Sequence, residues 1–462
     1  MTAVHDDITM HIEGRHAAIL EDFQALLRIP SISALPTHDA DTLRAADYVL
    51  GMLRKANLEH VQRIETDGKP LLYADWLHAP GRPTVLLYAH YDVQPVDPRS
   101  EWNSDPFAPV IEDDYIIARG ACDDKNNLTA IIHATAALLA EGTLPVNVRF
   151  LIEGEEESSG EAIEAYVRAH AQELASDIVL IADGGIAGHD QPQLEYGCRG
   201  MVYVELIARG SQRDLHSGTY GGNAPNPLFA LATIIAGLKK PDGTITIPGL
   251  MKTVRPPSEA EWANWRKQIP RFEADMAADM GTPLVGDPVQ SPIMRAWAQP
   301  TLEVHGFVGG FQDDGSKTVI PAEAKVKLSL RLVPDQDPAQ VLKLLQKRVA
   351  KLTPPGITTE IVNLGMGMPF FTDPTSPAFK ASVQALGAEF EKEVWLARAG
   401  GSVPIATTLQ TVLGADTVMV GFGLENDGAH GPNEHTHLPT FFRGVRSFAR
   451  MLRAFGEIPG AH

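Results

Sequence analysis

Three short apolar runs in this chain stop abruptly at acidic or imidazole side chains, and that repetition limits the folds open to it more than any other feature. Residues 85–88 form the first run, after Pro83, and lead into His90-Tyr91-Asp92 and a loop containing Pro95. A run of this length reads as a buried strand. In extended chain, residues i and i+2 point to the same side. A neutral His90 imidazole can therefore ligate a metal while Asp92 fixes its tautomer. Alone, a His-x-Asp pair at a strand end is an ordinary loop feature. The pattern returns, however. Residues 146–152 end in Glu153-Gly154-Glu155-Glu156-Glu157-Ser158-Ser159-Gly160, and residues 177–182 end in Asp183-Gly184-Gly185. Between them, Arg119-Gly120-Ala121-Cys122-Asp123-Asp124-Lys125 precedes a helix expected over 127–140. One Asp suffices as a helix cap, so two followed by Lys125 exceed what a cap requires. His90, Asp123, Glu157 and Asp183 thus stand at successive element ends, the edge where open α/β sheets build their sites.

The rest of the chain fits that frame. Helical spacing runs over 8–27 and 40–56, and short strands are expected near 60–64 and 71–76. This predicts an α/β sheet covered by helices on both faces. After Gly200 the texture changes. An alternating strand over 201–208 is followed by a helix over 227–238, strand-like stretches at 302–308, 317–320 and 324–332, a helix over 338–351 and a strand over 358–364. That is a ferredoxin-like α+β order. It predicts an inserted unit over 200–368 in a catalytic unit made of 1–199 and 369–462. Residues 239–300, rich in Pro, Met and Trp without clean periodicity, read as an irregular insertion. Ser376-Pro377 opens a further helix, Arg398-Ala399-Gly400-Gly401-Ser402 follows, and the strand 417–422 leads to Asp427-Gly428-Ala429-His430 before a closing helix.

Composition narrows the function. The chain of 462 residues carries 39 Lys+Arg against 58 Asp+Glu, a formal charge of −19. Such a field attracts neither nucleic acid nor an anionic membrane, and neither is expected as a partner. Two cysteines, Cys122 and Cys198, cannot form a disulfide framework. The acidic start MTAVHDDITM lacks the apolar core of a signal peptide, and no run has the length of a membrane span. A soluble cytoplasmic protein is expected.

Four glutamates in five residues at a strand end repel one another. One can ligate a metal while its neighbour, raised in pKa by like charge, acts as general base. Beside a metal-activated water, that is a hydrolytic arrangement.

His90-Tyr91-Asp92, Asp123-Asp124-Lys125, Glu156-Glu157, Asp183 and Asp427-Gly428-Ala429-His430 stand in the order found in the co-catalytic dizinc exopeptidases. That family includes glutamate carboxypeptidase, aminoacylase, succinyl-diaminopimelate desuccinylase and the carnosinase-type dipeptidases. The resemblance covers essentially the whole chain. Asp214-Leu215-His216-Ser217-Gly218 and Arg331-Leu332-Val333-Pro334 look most similar to the cytosolic non-specific dipeptidase branch. The resemblance implies a zinc-exopeptidase-like catalytic domain and an inserted lid and dimerisation domain, hence a homodimer. It implies that Asp123 bridges two divalent ions, with zinc expected and Mn²⁺ or Co²⁺ as alternatives. His90 and Asp183 would hold one ion, and Glu157 and His430 the other. Asp92 would support His90, and Glu156 would be the base acting on a water shared by both ions. His216 would stabilise the oxyanion, reaching in from the other subunit. Arg331 and Ser402 would hold the substrate's carboxylate, with Thr318 a further contact. The glutamate run also permits Glu155-Glu156 as the pair, but Ser158-Ser159-Gly160 favours Glu156-Glu157. The stretch 362–369 holds Met366 and Met368 and no His, so a substrate-contacting His found near here in some relatives has no obvious counterpart.

The expected activity is hydrolysis of dipeptides bearing a free C-terminal carboxylate. An N-acyl or N-carbamoyl amino-acid amidohydrolase of the same family is the alternative, since both need a carboxylate grip. A non-catalytic dimeric binding protein would be expected to lack the base or some of the ligands, and here all are present.

Overall fold

The run 85–88 lies within the strand Thr84–His90, where every residue after Thr84 is buried. A strand with no exposed side must be covered on both faces. In the computed structural model, which describes residues 7–399 and 404–460, this strand is central to a mixed sheet. Asn147–Glu153, Thr84–His90, Ile178–Ile181 and Asp416–Met419 lie side by side and parallel. Leu71–Trp76 and then Glu59–Ile64 extend one side antiparallel, and Gln193–Cys198 flanks the other. The helix Lys125–Ala140, buried along almost its whole length, packs against Thr84–His90, Leu438–Phe455 and His16–Leu27. Pro404–Leu413 packs against Glu161–Ala169 and Ile178–Ile181. His90 pairs with Glu153, and Tyr88 with Ile181. The carboxyl ends that carry His90, the glutamate run and Asp183 are therefore neighbours.

The chain divides into two compact units. One comprises the chain up to Tyr196, Thr372–Leu396 and the part from Pro404 onward; the other comprises Gly197–Phe371 with Ala397 and Arg398. In the second unit, four antiparallel strands run in the order Thr301–Gly309, Glu323–Leu332, Gly200–Arg209, Thr358–Gly367. Leu231 and Ile234 of the helix Pro227–Leu238, with Val341 and Leu345 of Pro338–Leu352, close a core with Val204, Leu206, Leu328 and Leu330. The strand order and the two helices are those of a ferredoxin-like fold.

Two expectations need correction. Residues 239–300 are not irregular throughout, because they hold the 22-residue helix Glu259–Met280. Ser258 Oγ accepts the Glu261 N–H at 3.3 Å, and the Glu261 carboxylate accepts the Ser258 N–H at 2.6 Å. The helix buries only Glu261, Trp265 and Gln268 and contains Pro270, so it shows no apolar stripe; the Ser-x-x-Glu capping box is the signal that marks it. The helix expected over 8–27 is two helices, Asp7–Glu13 and His16–Leu27, separated at Gly14. Among the described residues, no helix is long and apolar enough to cross a membrane.

Candidate metal centre

His90 ends its strand fully buried. Its Nδ1 lies 3.2 Å from the Asp92 carbonyl oxygen and 3.3 Å from Asp92 Oδ1. Two acceptors there keep the proton on Nδ1 of the neutral ring and leave the Nε2 lone pair to ligate. Asp92 Oδ2 accepts the Glu157 backbone N–H at 3.1 Å, so one carboxylate orients both the imidazole and the glutamate loop.

Donor atoms of His90, Asp123 and Asp183 lie within 4.8 Å of one another, and so do those of Asp123, Glu157 and His430. Asp123 belongs to both groups. Its Oδ1 is 3.1 Å from His90 Nε2, and its Oδ2 is 3.1 Å from His430 Nε2. His430 Nε2 is also 3.2 Å from Glu157 Oε2. His430 adopts a left-handed φ of +63° directly after the turn through Gly428. His435 and His437 lie in a short strand paired with Tyr115–Ile117 and join neither group.

Adjacent residues of like type take different parts. Asp124 Oδ2 accepts the His90 backbone N–H at 3.2 Å and Oδ1 accepts the Asn127 amide at 2.8 Å; it makes no capping bond to its helix. Glu155 is occupied locally, accepting from Lys69 N at 2.8 Å, Ala162 N at 3.1 Å and Ser159 Oγ at 3.2 Å. Glu157 Oε2 accepts the Gln94 amide at 2.8 Å. The loop bearing Asp123 converges on Glu434, which accepts from Gly120 N at 2.8 Å, Cys122 N at 2.9 Å, Asp123 N at 3.1 Å and Arg119 Nη1 at 2.7 Å. Lys125 Nζ donates to the Leu26 and Ile29 carbonyls at 3.1 and 2.7 Å. Sequence reasoning did not assign Gln94, Asn127 or Glu434. Glu434 is four residues past His430 in His430-Gly431-Pro432-Asn433-Glu434, the one clue to it in the chain.

The electrostatics show a site that wants positive charge. Burial, then the Asp183 carboxylate, pushes Glu156 up to about 9. Burial pushes Asp183 up to about 7. Hydrogen bonds to Asp123 and Glu157 raise His430 to about 10. Burial works to lower His90, but Asp123 and Asp92 win and raise it. Burial likewise works to raise Asp123, yet His430 and His90 hold it below the ordinary carboxylate range. Protons on two imidazoles here do what cations would do. The donor set fits cations: ligands around a tetrahedral zinc, at about 2.0–2.2 Å from it, stand roughly 3.3–3.6 Å apart, a few tenths of an ångström beyond the 3.1–3.2 Å separations here. Nitrogen and oxygen donors suit Zn²⁺ and tolerate Mn²⁺ or Co²⁺.

His216, Thr318 and Arg331 belong to the second unit. His216 is exposed and pairs with Val319, which sets it beside Thr318, whose carbonyl accepts the Ser217 N–H at 3.1 Å. His216 Nδ1 accepts the Gly218 N–H at 3.0 Å. Arg331 is half-buried in the strand Glu323–Leu332, paired with Met201 and Thr301. Ser402 lies outside the described residues.

A model of peptidase family M20/M25/M40 matches residues 86–454. The Cys-Gly metallodipeptidase dug1 of Schizosaccharomyces pombe is 30% identical over 449 residues, covering 93% of this chain and 94% of that protein. The human Beta-Ala-His dipeptidase is 30% identical over 395 residues, covering 84% of this chain and 78% of its own. Among solved structures, the M20 family metallo-carboxypeptidase Sso-CP2 of Sulfolobus solfataricus superposes with a TM-score of 0.83 at 32% identity, covering 95% of this chain and 99% of that one.

Proposed function

We propose that this chain, which belongs to peptidase family M20/M25/M40 and is a metal-dependent dipeptidase, hydrolyses dipeptides that carry a free C-terminal carboxylate. The observation that carries the mechanism is the pair of donor groups sharing Asp123. We assign His90, Asp123 and Asp183 to one divalent ion and Asp123, Glu157 and His430 to the other, with zinc the expected metal. Such ions, when bound, supply Lewis acidity that polarises a peptide carbonyl and acidifies water.

The chain's own groups do the rest. Glu156 takes a proton from the attacking water and passes it to the leaving amine. Asp92 holds His90 and Glu157 in register. His216 donates from Nε2 to the developing oxyanion, a tautomer favoured because Nδ1 already accepts the Gly218 N–H. Arg331 and Ser402 grip the substrate carboxylate, for which a guanidinium fork is well shaped, and Thr318 is a further contact. We also propose a homodimer formed through the second unit, with each His216 serving the other copy, and a cytoplasmic location. Cys122 and Cys198, buried and joined in no disulfide, suit a reducing compartment.

Hydrolysis of a dipeptide panel by chelator-stripped protein, before and after Zn²⁺ or Mn²⁺ is restored and with N-acetyl amino acids alongside, tests the activity. Metal-dependent release of free amino acids from dipeptides is expected. Cleavage of the acylated amino acids alone would overturn it in favour of an amidohydrolase. Light scattering on the eluted protein tests the dimer, and a monomer mass would remove the cross-subunit role of His216.

A further inference from the structure

A second group of metal-type donors lies on the edge hairpin of the first unit. Glu59–Ile64 pairs antiparallel with Leu71–Trp76, with Glu59 opposite Asp75 and Gln62 opposite Tyr73. One strand advances three residues while the other advances two, so the hairpin carries a β-bulge. His60 occupies it with a left-handed φ of +48°, uncommon for a residue with a side chain. In a regular strand Glu59 and His60 would face opposite sides. The bulge turns both towards Asp75, and donor atoms of Glu59, His60 and Asp75 lie within 4.8 Å of one another. His78, just beyond the second strand, stands beside the three, with its Nε2 2.8 Å from Glu59 Oε2.

The group has the parts of a built site. Asp75 is 5% exposed. Its Oδ1 is 2.7 Å from His60 Nδ1, while its Oδ2 accepts the Tyr73 hydroxyl at 2.9 Å. A ligating carboxylate held by a hydrogen bond from behind is how metal sites orient their donors. Trp76 stands edge-on to the His78 ring at 5.4 Å. Arg149, across from Asp75 on the next strand, donates to the Ala175 carbonyl. Side chains of His60, His78 and Glu59 are 70%, 57% and 48% exposed, which leaves the group open to an entering ion and to water ligands. Two separate imidazole–carboxylate pairs at an exposed edge contribute little and need no bulge to converge them. Strained residues persist where something over-determines them.

We propose that Glu59, His60 and Asp75, with His78 hydrogen-bonded to Glu59 beside them, bind one borderline divalent cation, of the Zn²⁺, Ni²⁺ or Cu²⁺ class favoured by a mixed imidazole and carboxylate set. The site is separate from the dinuclear centre. Asp75 pairs with Arg149 on the strand whose Glu153 pairs with His90, so the two sites are offset by four residues, roughly 13 Å, along that strand. The cation closes the open end of the hairpin and does not take part in hydrolysis.

The test compares metal content of the full chain and its His60→Ala/His78→Ala variant after equilibration with micromolar Zn²⁺ and gel filtration. The wild type should retain one equivalent more than the variant, with dipeptide hydrolysis equal in both. In an Asp123→Asn background the same one-equivalent difference should persist, so the result stands apart from the fate of the dinuclear assignment. Glu59→Gln, which keeps both histidines and the hairpin, should lose the same equivalent. Equal metal retention by wild type and Glu59→Gln would overturn the site.

Discussion

The Glu434 carboxylate accepts the backbone N–H of Asp123 at 3.1 Å and shares its oxygens with the N–H groups of Gly120 and Cys122. The Glu434 carbonyl also accepts the Ala118 N–H at 3.0 Å. The segment that presents His430 is therefore latched to the loop that presents Asp123, the residue common to both donor groups. The Arg119–Glu434 pair completes the latch at 2.7 Å, with both side chains only 1% exposed. Burial pushes the Glu434 carboxyl up, while Arg119 and the backbone donors hold it down.

Glu434→Gln keeps the shape but sets an amide N–H₂ among donors and leaves Arg119 buried without its counter-charge. Breaking a buried pair from one side costs about 3–5 kcal/mol. Urea denaturation should show a loss of that order, and metal should leave the variant faster during dialysis. A wild-type midpoint with full metal content would show that the latch does not hold the site.

Glu156→Gln separates chemistry from binding. Gln cannot take a proton, and a positioned acid–base group is worth about 10²–10⁴ in rate. Turnover should fall by that factor, KM should hardly change, and metal content should match the wild type. Undiminished turnover would move the base elsewhere in the glutamate run.

Removing ligands should divide the two ions. His430→Ala should retain one equivalent less than wild type, whereas Asp123→Asn should weaken both. Restoring metal to stripped wild type should raise the melting temperature, because a ligand at 100 times its Kd stabilises by about 2.7 kcal/mol. Identical metal counts in the wild type and both variants would dissolve the assignment.

Much of this arrangement is legible in the chain because strand ends are legible. Contiguous apolar runs place His90 and Asp183 at neighbouring carboxyl edges, and the register of Tyr88 with Ile181 keeps them there. Apportioning parts among adjacent like residues is beyond sequence. Asp123 differs from Asp124, and Glu155 from Glu156 and Glu157, in part through partners far along the chain. Lys69, which takes up Glu155, lies 86 residues away, and the Glu434 latch joins residues more than 300 apart. The helix Glu259–Met280 is hidden for a different reason: it buries three residues, and periodicity shows only what is buried in stripes.

Asp22, which belongs to neither donor group of the metal centre, gives a test of acid stability. Its carboxylate ties three helices together: Oδ2 lies 3.3 Å from His133 Nε2, and Oδ1 accepts from Tyr48 Oη at 2.9 Å and Lys55 Nζ at 3.3 Å. His133, then Tyr48 and Lys55, hold Asp22 down at about 2, against burial that works to raise it. The folded state thus binds this proton more weakly than the unfolded chain, whose Asp titrates near about 3.9. The resulting stability is fully present above about pH 4 and is lost as pH falls towards 2. Allowing for the water that reaches this carboxylate, it amounts to ~1 kcal/mol. Asp22→Asn should therefore be less stable than wild type by ~1 kcal/mol in urea at neutral pH, and the gap should narrow steadily as pH falls below 4. A gap of constant size from pH 7 to pH 3 would show that the loss comes from packing and not from the charge on Asp22.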